Sequence, residues 1–185
     1  GAEKGYNPHK PGRPSHTYHT YFIANLRLIL DVEVQAGNQT ASKYSAPGLW
    51  ELLKRLPRPH WPVFIRGDRD WGTEANMQRA EQEGLPYLFK LRMTARVKKS
   101  VERLMREALW TAAGQDWEGA ETSLRLTGWS RSRRAIVLRR RIKGDLAVVD
   151  HGDANQLRLG LAEFTNEVIV YEYAVLITSL PQEIL

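Results

Sequence analysis

The chain of 185 residues has no cysteine. That excludes disulfide staples and thiolate metal sites, but it leaves the compartment open, because a reducing cytosol merely permits the absence. Histidine is scarce, at five, and His16 and His19 would point to opposite faces of a strand, which is too little for a metal site. No apolar run approaches the roughly 18 residues of a membrane helix, and no signal-peptide core is present, so a soluble chain without membrane contact is expected. No Gly-rich phosphate loop, GxSxG elbow or HExxH helix occurs. Internal repeats and low-complexity tracts are missing too. The first residue is Gly1 rather than methionine, and the last stretch is TSLPQEIL. There Ser179, followed by Pro181 and Gln182, reads as a helix start cut short, so the chain is expected to be part of a longer protein.

What is present suits a globular core, since 42% of residues are hydrophobic. Formal net charge is +6, which favours a polyanion such as nucleic acid as partner. Residues 1–16 are rich in Gly, Pro, His and Lys and read as an extended basic arm. Two strands follow, Tyr18 to Asn25 and Leu26 to Ala36, joined by a hairpin through Asn25. In the second, Leu28, Leu30, Val32 and Val34 share one face and Arg27, Asp31 and Glu33 the other. Ser45 is placed to cap a helix carrying Leu49, Leu52, Leu53 and Leu56, which Pro57 and Pro59 end.

Val63 to Ile65 then read as a short buried strand. Thr73 is positioned to cap a helix from Glu74 to Glu83, with Gly84 as its stop, and Leu85 to Leu91 read as another strand. This order implies mixed α/β layers. From Thr94 to Leu109 the spacing predicts an amphipathic helix, with Val97, Val101, Leu104, Met105 and Ala108 on one stripe and Lys98, Glu102 and Arg106 spaced for i, i+4 pairs. Strands are expected at Glu121 to Leu126, Arg134 to Ile142 and Leu146 to Val149, a β-rich insertion with a turn at TGWS. Glu167 to Thr178 reads as a strand covered on both faces.

The stretch VFIRGDRDWG, Val63 to Gly72, holds the sharpest candidate chemistry. Asp68 would sit at the carboxyl end of a strand, the sheet edge where α/β folds bind ligands. There it either helps to hold a hard divalent cation, which needs further carboxylates from other segments, or it is a turn former bonded to nearby amides. Asp31 and Glu33 read as a solvated strand face rather than a catalytic pair. From Arg125 through Lys143 there are eight Lys or Arg residues and no Asp or Glu. A ribbon carrying Arg131, Arg133, Arg134, Arg139, Arg141 and Lys143 can position phosphates, and Lys10 and Arg13 of the arm are further candidates. Ile136, Leu138 and Ile142 would face inward with Arg140. Trp129 at the hairpin tip is placed to stack on a base, the alternative being that Trp110, Trp117 and Trp129 only pack this small subdomain.

The segments GYNPHKPGRPSHTYHTYFIANLRLILDVEVQAGNQTAS, FIRGDRDWGTEANMQRAEQEGLPYLFKLR, GWSRSRRAIVLRRR and YEYAVLITSL closely resemble bacterial insertion-sequence transposases of the DDE-domain group 1 branch, over essentially the whole chain. The resemblance implies a ribonuclease-H-like mixed sheet with flanking helices and a β-rich insertion, its core incomplete at both ends. It divides the chain into a core part at 1–92, a helix and basic insertion at 93–166, and a core strand with a truncated helix at 167–185. It implies two magnesium ions held by an Asp, Asp, Glu triad, with Asp68 as the second catalytic aspartate. The first aspartate lies upstream of GYNPHKPGRP in that family and the glutamate downstream of YEYAVLITSL, so two of the three acids are missing. The expected partner is DNA at transposon ends, with a homodimer as a candidate state and a bacterial, nucleoid-associated cytoplasmic location. The expected function is part of a catalytic domain that is inactive by itself. The alternative is a non-catalytic DNA-binding module from a repurposed copy.

Overall fold

A computed structural model of the chain describes residues 1–5, 7, 10–39, 41–142, 159–161 and 169–182. It contains two compact units, Gly1–Pro62 and Val63–Leu185.

The first unit holds a three-stranded antiparallel sheet in the order β1 (Glu3–Lys4), β2 (Pro14–Ile23), β3 (Leu28–Ala36). The expected hairpin is present, with a register shift at Tyr21/Phe22. Helix α1 (Ala41–Lys54) follows, then a 3-10 turn at Arg58–His60. The helix begins before Ser45, which is buried in its interior rather than capping it. A tertiary bond accounts for that placement, since the Tyr21 hydroxyl is placed to donate to both the Ser45 carbonyl at 2.8 Å and Glu33 Oε1 at 2.9 Å. Gly48 makes room for the Glu33 and Tyr21 side chains, because a Cβ there would lie 1.9 Å from a Glu33 carboxylate oxygen and 2.2 Å from the Tyr21 hydroxyl. Helix α1 thus covers the face carrying His19, Tyr21 and Glu33. Asp31, on that same face, pairs with Arg55 at 3.6 Å, so the face expected to be solvated lies under a helix. The apolar row is open instead, with Tyr18 67% and Ile29 61% exposed and Phe22, Leu30, Val32 and Val34 beside them.

The second unit is built on a seven-stranded sheet whose order is β4-β5-β10-β8-β7-β6, with β9 paired to β10. In chain order its elements are β4 (Ile65–Gly67), α2 (Glu74–Gln82), β5 (Tyr87–Lys90), α3 (Ala95–Glu107), β6 (Thr111–Gly114), β7 (Trp117–Leu124), β8 (Arg133–Ile142), β9 (Leu159–Leu161) and β10 (Ile169–Thr178). Strands β4 and β5 run parallel, and the other described pairs are antiparallel. Thr73 caps α2 as expected, and Thr94, read as the first residue of its helix, proves to be the cap of α3; each accepts a backbone N–H. Gly84 takes φ +60 at the α2 stop, where a side chain would be strained. Met77 and Ala80 of α2, Tyr87 and Phe89 of β5 and Val175 and Ile177 of β10 are all buried, and the Tyr87 hydroxyl donates to Glu81 of α2 at 2.8 Å.

Along β10, Tyr173, Val175 and Ile177 are buried while Ala174 and Leu176 are half-buried, so one face is covered completely and the other in part. The Ser179 hydroxyl accepts the Tyr87 N–H at 3.1 Å, and the helix expected to start there extends outside the described residues. The strand expected at Leu146 to Val149 lies outside the described residues. Among the described residues no helix is long and apolar enough to cross a membrane.

Candidate functional site around Asp68

Parallel pairing of Arg66 with Leu88 and Gly67 with Phe89 brings Asp68 out at the carboxyl end of β4. Two glycines shape the turn by giving room rather than by unusual φ. A Cβ on Gly67 would stand 2.4 Å from the Trp71 side chain, and one on Gly72 would stand 2.6 Å from the Lys90 carbonyl. Trp71 therefore folds back over β4, its ring 5.9 Å from that of Phe89. Its carbonyl accepts from Thr73 N–H at 2.7 Å and from the Asn76 amide at 3.2 Å, which fastens the loop to the first turn of α2.

The two aspartates of the loop are used differently. Asp70 is held by the guanidinium of Arg92. Asp68 is exposed, and its Oδ1 accepts the Asp70 N–H at 3.0 Å in an Asx turn, while Oδ2 has no partner among the described residues. Asp68 is thus both a turn former and a carboxylate presented at the sheet rim. Beside it lies an open depression of about 380 Å³ lined by Arg66, Gly67, Asp68, Leu88, Lys90 and Leu176. Arg66 and Lys90, which the sequence reading passed over, are exposed cations without a partner among the described residues. Their signal was a charge recurring on one face of two short, otherwise apolar strands that pair in register.

The donor set bears directly on a metal. One exposed carboxylate with a free oxygen can supply a ligand to a hard divalent cation, which needs several more. Among the described residues no three His, Cys, Asp or Glu side chains come together to complete a cation site. The described residues fit one corner of such a site and not a whole one.

The basic insertion is organised by carboxylates from neighbouring elements. Arg133, 2% exposed at its side chain, donates to Glu74 at 2.6 Å and to Glu81 at 2.7 Å, both on α2. It is a buried clamp, out of reach of a phosphate at the surface. Burial by itself would raise the Glu81 carboxyl, but hydrogen bonds from Arg133, Arg131 and Tyr87 outweigh it and hold the group down to about 2. Glu74 is lowered in the same way, burial being overcome by Arg133 and Ser130.

Arg131 is largely exposed and reaches Glu81 at 2.9 Å. Arg134 pairs with Glu121 and donates to the Leu180 carbonyl at 2.9 Å. Arg139 donates to Glu118 at 2.7 Å and lies over the rings of Trp110 and Tyr171. Arg140, expected to face inward, is exposed and pairs with Glu172 of β10. Arg141 is exposed, and Lys143 lies outside the described residues. The run 125–143 carries no acid of its own, so its partners became visible only once cross-strand register was known.

Trp129 is buried, beneath Arg133 at 5.5 Å from guanidinium carbon to ring centroid, so it packs the subdomain. In the first unit Lys10 and Arg13 are exposed, and the Lys10 backbone N–H closes a turn on Asn7 at 3.0 Å. His16 is exposed and His19 buried on the opposite face.

A search of curated proteins finds no match to the chain. The family model described as "Transposase DDE domain" matches residues 1–159, and the mixed α/β architecture agrees with the ribonuclease-H-like core of such domains. With a carboxylate presented at the rim of a mixed sheet and most of its length matched, the chain belongs to the family of transposase DDE domains.

Proposed function

We propose that the chain is the central part of the catalytic domain of a bacterial insertion-sequence transposase, and that Asp68 is one of the carboxylates holding magnesium for DNA strand cleavage and transfer. The observation that carries this reading is Asp68 itself, exposed at the end of β4, with one oxygen free and two cations, Arg66 and Lys90, unpartnered among the described residues and lining the same depression. Transposases of this family act on DNA and normally use a divalent metal, which activates the attacking oxygen and stabilises the leaving one. The chain's own contribution is to aim Asp68 through the Asx bond and the Trp71 fold-back. Exposed Lys10, Arg13, Arg131 and Arg141, together with Lys143, would contact DNA phosphates. Arg133, Arg134 and Arg139 would act indirectly, by fixing the shape of the insertion.

The test is cleavage of the element's ends in magnesium by the complete product of the encoding reading frame. Asp68→Asn should abolish cleavage and leave DNA retention at low salt intact. These 185 residues alone should not nick DNA. Cleavage that survives Asp68→Asn overturns the assignment.

The Asx bond and the lack of a three-ligand cluster among the described residues favour a second reading, a non-catalytic DNA-binding module. It predicts that the complete product does not cleave, and that its salt-sensitive DNA binding is independent of magnesium and unchanged by Asp68→Ala.

A further inference from the structure

Cations on β8 mostly meet an acid. Arg133, Arg134, Arg139 and Arg140 each do. Helix α3 departs from that pattern. Its apolar stripe, Val97, Val101 and Leu104, is buried and packs toward β7. At 100° per residue, Arg96, Lys99, Arg103 and Arg106 fall on a single row roughly 150° away from that stripe. All four are exposed, and none has a hydrogen bond or ion pair from its side chain among the described residues. Glu102 flanks the row without forming an ion pair with it, and the expected Lys98, Glu102 and Arg106 pairs are not made among the described residues. Like charges three and four residues apart weaken a helix taken alone, so the row costs stability in the free chain.

We propose that this row is a DNA-backbone contact, a surface separate from the insertion ribbon, which lies along the phosphates of a duplex. The ten steps from Arg96 to Arg106 rise about 15 Å along the helix axis, and a duplex presents one phosphate charge per about 1.7 Å of its own axis with both strands counted, so each cation of the row has a phosphate within reach. The four cations face outward together, and a polyanion supplies what neighbouring side chains do not. The inference rests on the reading of the chain as DNA-binding and locates where that binding occurs.

The experiment is fluorescence anisotropy of the whole chain with a short duplex of arbitrary sequence, titrated over salt. The variant carrying Arg96→Gln, Lys99→Gln, Arg103→Gln and Arg106→Gln should keep its helix by circular dichroism. Its slope of log affinity against log salt should be lower by about 3 to 4, because each neutralised phosphate contributes about 0.9. Lys98→Gln removes the same charge from another side of the helix and should leave the slope where it was.

A wild-type chain that does not bind at low salt overturns the DNA reading and this surface with it. A wild-type chain that binds, paired with a quadruple variant of unchanged slope, overturns this surface alone. So does a Lys98→Gln change as large as that from a row residue. If the quadruple variant loses helix, Arg103→Gln alone decides, with a slope change of about 0.9 expected and no change overturning the proposal.

Discussion

Arg133 is the side chain on which the most interactions converge. Its fork reaches two carboxylates of α2 while its plane lies over Trp129. A fixed, planar set of donors suits that geometry, and a flexible ammonium does not. Arg133→Ala strands Glu74 and Glu81 around a cavity, and removing one partner of a buried pair costs about 3–5 kcal/mol. Arg133→Lys should cost less, because it keeps the charge and loses only the fork. Urea unfolding of both variants measures the ranking. A loss below about 1 kcal/mol for Arg133→Ala, the size of an exposed pair, would show that the clamp carries no weight.

At the scale of elements, α2 is the piece most dependent on charge. It follows the Asp68 loop directly, and its outer face is tied down by Glu74 and Glu81. Both carboxyls are held below their ordinary value of 4.5 in the folded chain, Glu81 at about 2. A carboxyl with a lowered folded value stabilises the fold fully above its unfolded value and loses that contribution as pH falls toward the folded one. The hold on α2 is therefore complete above about pH 4.5 and released between there and about pH 2. Protection of the α2 amides, each rate taken relative to its intrinsic value at that pH, should fall through that window, and Glu81→Gln should flatten the dependence. Identical profiles for wild type and Glu81→Gln would rule Glu81 out as the group responsible.

Elements with a local signal were legible in the sequence. Thr73 as a cap, Gly84 as a stop and the strand ending at Thr178 all depend on neighbours within a few residues, and each stands where it was expected. Asp68 at the end of its strand was legible for the same reason. Features set by distant partners were not: the burial of Ser45 follows from Tyr21, and the inward turn of Arg133 follows from two glutamates on another element. The face of β3 that α1 would cover could not be read either, because a polar bridge from Tyr21 and Glu33 decided it against the apolar alternation.

On the scale of the whole molecule, charge and apolar surface are distributed unevenly. The second unit carries the paired arginines and the open row of α3, whereas the first carries a sheet with aromatic and β-branched residues turned outward. A bare sheet face of Tyr18, Phe22, Ile29, Leu30, Val32 and Val34 is larger than the scattered apolar residues of ordinary surfaces and favours sticking. In a purified sample it will govern colloidal behaviour. The chain should brighten the dye ANS while fully folded and should shed monomer as it is concentrated. Val32→Thr with Val34→Thr should raise the usable concentration and leave the melting temperature almost where it was, the reverse of what a core substitution does. Light scattering alongside a thermal melt separates the two outcomes.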